Sequence, residues 1–461
     1  MVAAVLASSM GFIDSSVTAI ALPAIRASLG GSLAAAAWVA GAYLLTLSAL
    51  ILAGGAMADR FGTVRVYVTG IVVFVLSSAL CTLAQSMLQM NLARAVQGAG
   101  AALMVPGSMT LIARAYPREE RGAALGLWAA AATATTAFGP VLGGALLSAG
   151  GAEAWRAIFA LNLPLGAAAL VLLHRFTLPD PGRPGTPVDL VGAGLATLSL
   201  GALAWGLTHE GPALPALLPV SALAALAFLW HEARTPAPMI RLSIFAHRGF
   251  ALANLATLLL YVALSGVMFY LPMTAIAACG ISPLGVTAAF LPTSVVITLL
   301  SRPMGRLADR HGPGPLMSLG AALAALGYGL LSWAAPGGQF FTHVVPVMFL
   351  VGLGLSMVVA PLTAAVMEYA PEADQGAASG INNAVARASG LIAVSLMGLV
   401  VRAAYGPVTP GMPGFGLPGT SPAHLAATAH AFSQLAALAA CLALASSVTS
   451  ALIGRRRTNS S

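Results

Sequence analysis

A chain of 461 residues that is 59% hydrophobic, 7% charged and formally +8 is not a soluble globular protein, in which about a quarter of residues are charged. Its basic balance is no nucleic-acid footprint, because the 21 bases, all arginine, are scattered over short loops and do not gather on one face. Three distant cysteines, Cys81, Cys279 and Cys441, give neither a disulfide framework nor metal-ligand spacing.

Apolar runs of about 20 residues recur along the whole chain, each long enough to cross a hydrocarbon core ~30 Å thick as a helix. They predict fourteen spans, at 3–25, 36–57, 66–86, 89–112, 122–148, 157–176, 188–208, 214–231, 249–273, 284–304, 315–334, 343–367, 377–402 and 425–453, in an all-α integral membrane protein. The first 25 residues lack a basic leader and carry Asp14 halfway along, so they read as the first span and not as a cleaved signal peptide. With the N-terminus inside, the inner loops hold 16 arginines: Arg60, Arg65, Arg114, Arg118, Arg121, Arg175, Arg183, Arg234, Arg241, Arg248, Arg302, Arg306, Arg310 and Arg455 to Arg457. The outer loops hold three, Arg26, Arg156 and Arg402. That imbalance predicts a multi-pass chain in the inner or plasma membrane of the cell, with both termini cytoplasmic.

Span 1 contains Ile13-Asp14-Ser15-Ser16-Val17-Thr18-Ala19-Ile20-Ala21-Leu22-Pro23. An acid in mid-span costs on the order of 2.5–3.5 kcal/mol even on a lenient insertion scale. Burial disfavours the charged form of a carboxyl, which suits Asp14 to take up a proton and release it when water or a cation arrives. The alternative is a carboxyl that only hydrogen-bonds to a neighbouring helix.

Between spans 2 and 3 stands the octet Gly55-Ala56-Met57-Ala58-Asp59-Arg60-Phe61-Gly62, a short charged hinge. Its glycines permit close helix approach and a sharp turn. Span 4 carries Asn91-Leu92-Ala93-Arg94-Ala95-Val96-Gln97-Gly98-Ala99-Gly100. Arg94 cannot shed its charge and needs partners: backbone carbonyls, Gln97, or Asp14 in one state. A guanidinium beside a carboxyl favours the carboxylate, so movement of Arg94 relative to Asp14 loads and unloads a proton. A structural arginine joining spans is the alternative, and for Arg387 in span 13 it is the preferred reading.

Span 5 holds Thr135-Thr136-Ala137-Phe138-Gly139-Pro140-Val141-Leu142-Gly143-Gly144. Its Gly-Pro pair kinks the helix and its glycines let a neighbour pack closely. The run Trp155-Arg156-Ala157-Ile158-Phe159-Ala160-Leu161-Asn162-Leu163-Pro164-Leu165-Gly166 follows and reads as an interfacial Trp–Arg anchor, not as chemistry.

The octet returns as Gly305-Arg306-Leu307-Ala308-Asp309-Arg310-His311-Gly312, with Asp309 250 residues after Asp59. At roughly 30 residues per span and loop, that distance holds about eight spans, two more than a tandem six-span repeat needs. The surplus is the pair at 188–231, flanked by the run from Pro179 to Gly185 and by Glu232 to Arg248, both rich in loop formers. The order is 6 + 2 + 6: residues 1–178, an inserted pair within 179–248, and residues 249–461. Parallel repeats with the same inner hinge point to secondary transporters. Residues 403–424 hold Pro407, Pro410, Pro413, Pro418 and Pro422 among glycines, and predict a mobile outer loop with no packed core. Asn254, Tyr261, Tyr270, Asn382 and Asn383 are polar residues of central spans, which either line a substrate cavity or bond between helices.

On these motifs the chain resembles the fourteen-span drug:proton antiporter family of the major facilitator superfamily. It departs from that family's pattern in Thr135, where the family has Gly, and in Thr63-Val64, where it has two bases. The resemblance implies the major facilitator fold, with 14 transmembrane helices arranged 6 + 2 + 6. It implies proton coupling at Asp14 and Arg94, and gating at Gly55, Asp59, Arg60, Gly62, Gly305, Asp309, Arg310 and Gly312. In that scheme Asp59 faces the start of span 13, near Gln375 to Ala377, and Asp309 the start of span 5, near Arg121 to Ala123. The motif residues Gly139, Pro140, Gly143 and Gly144 imply export. The implied protein is a monomeric carrier in the lipid bilayer, with protons and a small amphipathic or cationic drug-like substrate as partners. No cofactor, metal, nucleic acid or catalytic residue is expected.

An importer or a dedicated metabolite exporter on the same scaffold is the alternative. A receptor or a structural membrane protein without transport is the alternative of another class. A membrane enzyme is disfavoured, because the sequence offers no metal cluster, nucleophile–base pair or phosphate loop.

Overall fold

The computed structural model describes residues 1–461 apart from 152, 178–179, 184, 186, 210–212, 335–338, 372–373, 408–411 and 454–461, and apart from some side chains between 113 and 137. Pro179, Pro184, Pro410, Arg455 to Arg457, the side chains of Arg118 and Ala123 and the surroundings of Gly122 therefore lie outside what the structure describes.

Lipid offers no hydrogen bonds, so apolar segments satisfy their backbones internally as helices. In chain order these are α1 (Val2–Leu29), α2 (Leu33–Phe61), α3 (Thr63–Leu83), α4 (Met87–Ala115), α5 (Arg118–Gly150), α6 (Trp155–Ala160), α7 (Asn162–Phe176), α8 (Leu190–Thr208), α9 (Ala213–Glu232), α10 (Arg248–Cys279), α11 (Pro283–His311), α12 (Pro313–Ala334), α13 (Val345–Glu368), α14 (Gln375–Tyr405) and α15 (Pro422–Ala451). No strand occurs among the described residues. Among the described residues, thirteen helical stretches are long and apolar enough to cross a membrane, with α6 and α7 together forming one, Trp155–Phe176. α5, 33 residues long, holds a shorter apolar stretch, Phe138–Gly150.

The helices overrun the apolar stretches at the hinges. Span 36–57 becomes Leu33–Phe61, and span 284–304 becomes Pro283–His311. Hydropathy stops at the first charges, whereas backbone hydrogen bonds continue through Asp59-Arg60 and Asp309-Arg310. Each octet is thus the end of a helix plus one turn residue. Gly62 has φ 94° and Gly312 φ 83°, a region that favours glycine. Their N–H groups donate to Ala58 O (3.1 Å) and Ala308 O (2.8 Å).

The chain forms two compact units: Met1–Met239 with Ser282–Leu284 and Val394–Gly398, and Ile240–Ile281 with Gly285–Ala393 and Leu399–Ser461. In the first, α4 packs against α2 and α3, α1 against α5 and α7, and α8 against α9 and α2. Small residues let these backbones touch: a Cβ on Gly98 would lie 2.2 Å from Tyr43 O, and one on Gly54 2.3 Å from Ala102 O. The inserted pair is joined reciprocally, Ser199 Oγ donating to Ser221 O (3.0 Å) and Ser221 Oγ to Ser199 O (2.9 Å). In the second unit α12 packs against α13 and α15, and α10 against α15, where Ser446 Oγ donates to Ala256 O at 2.9 Å.

The described residues of the loop between α14 and α15 correct the expectation of an unpacked segment. Phe415 is 3% exposed, with its ring centroid 6.1 Å from Tyr270 and 6.0 Å from Tyr405. Tyr405 Oη donates to Pro413 O (2.5 Å) and lies 2.7 Å from Nδ1 of the buried His424. Proline and glycine set the backbone's course here, and a buried aromatic side chain together with the Tyr405–Pro413 hydrogen bond seats it.

Candidate functional site

α1 and α4 bring Asp14 and Arg94 together in the interior of the first unit, each 1% exposed. Arg94 Nη1 donates to Asp14 Oδ2 and to Gln97 Oε1, both at 2.5 Å, and Nε donates to Val39 O at 2.8 Å. Gln97, one turn on from Arg94, donates through Nε2 to Asp14 Oδ1 (3.2 Å) and to Ser78 Oγ on α3 (2.8 Å). The guanidinium carbon lies 4.4 Å from the ring centre of Tyr43 on α2 and 5.7 Å from that of Phe159 on α6. Both charges are therefore compensated, and both carboxylate oxygens accept a hydrogen bond.

The glycines of the span 5 motif explain how α5 approaches this site. A Cβ on Gly139 would lie 2.2 Å from Ser16 Oγ, and one on Gly143 2.1 Å from Val17 Cγ1, so only glycine lets α5 lie against α1 beside Asp14. Pro140 and Gly144 are buried in the same stretch. Thr135 lies 3.1 Å, oxygen to oxygen, from Ser9 on α1, a side-chain hydrogen bond across the contact.

The first octet is met by a residue that sequence reading passed over. Asp180 accepts from the N–H groups of Thr63 (2.9 Å, Oδ2) and Val64 (3.1 Å, Oδ1), the first residues of α3, and pairs with Arg114 near the end of α4. Arg183 N donates to Asp59 O at 2.7 Å, so the chain after α7 is laid along the hinge. Burial alone pushes the Asp180 carboxyl up, but the Thr63 and Val64 amides and Arg114 together outweigh it and hold it below the usual carboxylate value. Asp59, Arg60, Asp309 and Arg310 have exposed side chains; Gly55 and Gly305 are partly buried.

A family profile for the Major Facilitator Superfamily matches residues 4–395. The chain belongs to the major facilitator superfamily. It is similar to the methylenomycin A resistance protein of Bacillus subtilis (strain 168), at 32% identity over 401 residues, covering 85% of each chain. It is similar to the cephamycin export protein CmcT of Amycolatopsis lactamdurans, at 34% over 397 residues, 83% of this chain and 81% of that one. A third relative is the multidrug resistance protein Stp of Mycobacterium tuberculosis (strain CDC 1551 / Oshkosh), 30% identical over 407 residues, 86% of this chain and 74% of that one. Among solved structures, a bacterial homologue of the human lysosomal transporter Spinster, inward-facing and unoccupied, matches with TM-score 0.72 at 16% identity, covering 98% and 95% of the two chains. The D-xylose–proton symporter matches at 0.68 and 16%, covering 98% and 96%; at such identities the likeness shows the fold alone.

Within this major facilitator chain the polar residues of the central spans fall into different settings. Asn254 is buried and donates to Phe250 O (2.9 Å), while its Oδ1 accepts from Asn382 Nδ2 (3.2 Å), which also donates to Thr257 Oγ1 (2.8 Å). These residues bond α10 to α14. Tyr270 is fully buried in the aromatic cluster under the loop between α14 and α15. Tyr261 is partly buried, and Asn383 is exposed with its Nδ2 on Ser379 O at 3.2 Å. Sequence reading missed Tyr43, Ser78, Asn162 and Asp180. The signal for Asn162 lay in the span 6 motif, but a neutral amide there looks like an anchor until its neighbours are known.

Proposed function

We propose that this protein is a proton-coupled exporter of small amphipathic or cationic drug-like compounds, working by alternating access in the cell membrane. The observation that carries the reading is the buried Asp14–Arg94 pair. A proton arriving at Asp14 turns the carboxylate into a neutral acid and leaves the guanidinium charge uncompensated. An uncompensated buried charge costs about 3–5 kcal/mol, enough to drive a rearrangement of the helices around it. Release of the proton on the other side restores the pair and resets the carrier. The membrane potential supplies ~2.3 kcal/mol per charge per 100 mV toward the cycle. The octets serve as gating hinges through Asp59, Arg60, Asp309 and Arg310, and the Gly139 to Gly144 stretch keeps α5 against the coupling site. Both termini lie in the cytoplasm, and the carrier works as a monomer.

The names of the relatives, for resistance to methylenomycin A, export of cephamycin and multidrug resistance, support export as the direction. Two of those names cite a single antibiotic and favour a second reading, a dedicated exporter of one compound. A susceptibility panel in a strain lacking its own pumps tests both. Protection against several unrelated compounds supports the first reading, and protection against one supports the second. Asp14→Asn, produced at wild-type level, is expected to abolish protection. Full protection by that variant overturns the coupling assignment.

A further inference from the structure

The hydrogen bonds around Asp14 do not stop at Gln97. Ser78 Oγ, fully buried on α3, donates to Phe74 O at 2.8 Å, which leaves its lone pairs to accept. One acceptance is from Gln97 Nε2 at 2.8 Å, and the other is from Asn162 Nδ2 on α7 at 3.2 Å. Asn162 is 1% exposed, and its Oδ1 is buried without a partner among the described residues. A buried amide with an orphaned oxygen is a poor choice for stability alone, since an apolar side chain of similar size avoids the desolvation. What the amide provides is a donor aimed at Ser78, which fixes that hydroxyl as an acceptor for Gln97. Gln97 in turn keeps its second N–H on Asp14 Oδ1.

We infer that Asn162 is a positioning residue for Asp14, acting through Ser78 and Gln97 to set how readily that carboxyl takes a proton. The inference rests on the coupling role proposed for Asp14. A hydrogen bond donated to a carboxylate favours its charged form, so a Gln97 held in place opposes protonation, and a loosened one permits it. The titratable and charged groups around the carboxyl are few. Arg94 faces it from α4, Cys81 from α3, with Sγ 3.9 Å from Gln97 Oε1, and Tyr43 from α2 through its ring on Arg94. α6 and α7 bring Phe159 and Asn162, which do not titrate, and α5 has no charged residue over 122–150.

The test needs no transported compound. Purified full-length protein in liposomes is titrated by pH-difference infrared spectroscopy, and the protonated-carboxyl band that Asp14→Asn removes is followed. Asn162→Leu and Ser78→Ala are each expected to raise the midpoint of that band by about half to one pH unit, equivalent to a partial loss of one charge-assisted hydrogen bond. The double variant is expected to shift no further than either alone, because both act through Gln97. Ser78→Thr, which keeps the hydroxyl, is expected to retain the wild-type midpoint and serves if Ser78→Ala is poorly folded. Wild-type midpoints in Asn162→Leu and Ser78→Ala, with the Asp14 band present, overturn the role of Asn162 and leave the coupling assignment standing. Absence of any band lost in Asp14→Asn overturns both.

Discussion

Arg94 is held by Val39 O, Gln97 and the Tyr43 ring as well as by Asp14. The two members of the pair are unequal: Asp14 can neutralise itself with a proton, whereas a guanidinium cannot lose one in a protein. Removing Arg94 therefore leaves a buried carboxylate that acid can relieve. Arg94→Ala is expected to lose about 3–5 kcal/mol of stability at neutral pH and to regain part of it on acidification. The Asp14→Asn/Arg94→Ala double variant is expected to show no such recovery. Thermal melts of detergent-purified protein at two pH values check this; equal loss at both pH values refutes the asymmetry. Asp14 and Arg94 were legible in the sequence because a charge in mid-span is rare and needs a reason. Ser78 and Asn162 were not, because uncharged polar residues are scattered through these spans and only three-dimensional placement separates a relay from a helix contact.

Helix ends were the least legible elements, since hydropathy marks where lipid begins and not where backbone bonding stops. The Gly62 turn shows the consequence. The α2–α3 connection is a single residue, and the first N–H groups of α3 would be unsatisfied without the Asp180 carboxylate. Asp180→Ala is expected to cost about 1 kcal/mol locally, typical for a lost helix cap. Faster amide hydrogen exchange at Thr63 and Val64 reports it, and unchanged exchange there removes Asp180 as the cap. Acid acts in a defined direction. Because the folded value lies below the unfolded one, the stabilisation is complete above the unfolded value and fades only as pH falls through the folded one. Relative to Asp180→Ala, the protection at Thr63 and Val64 is therefore expected to hold constant between about pH 5 and 8, above the ordinary Asp range. Sequence reading treated the run from Pro179 to Gly185 as a spacer, because turn formers say nothing about what a lone acid among them will bind.

At the scale of the molecule, the all-helical, many-span fold was legible from the apolar runs alone, because a membrane leaves so few ways to fold an apolar chain. The loop between α14 and α15 escaped that logic, since composition sees its prolines and glycines but not the phenylalanine that docks. Phe415 is the buried aromatic side chain of that anchor, set between Tyr270 and Tyr405, with Tyr405 tied to Pro413 and His424. Truncating a buried Phe typically costs about 3–5 kcal/mol, more than a short segment gains from one hydroxyl bond of about 1 kcal/mol. Phe415→Ala is thus expected to free residues 412–421 while leaving the helices in place. A protease added to right-side-out cells should cut the variant within this segment and leave the wild type intact. The same protease sealed inside should cut neither if the loop lies outside, as the arginine bias predicts. Equal resistance of variant and wild type would show that Phe415 does not anchor the loop, and cleavage only from the inside would invert the topology on which the proposed function depends.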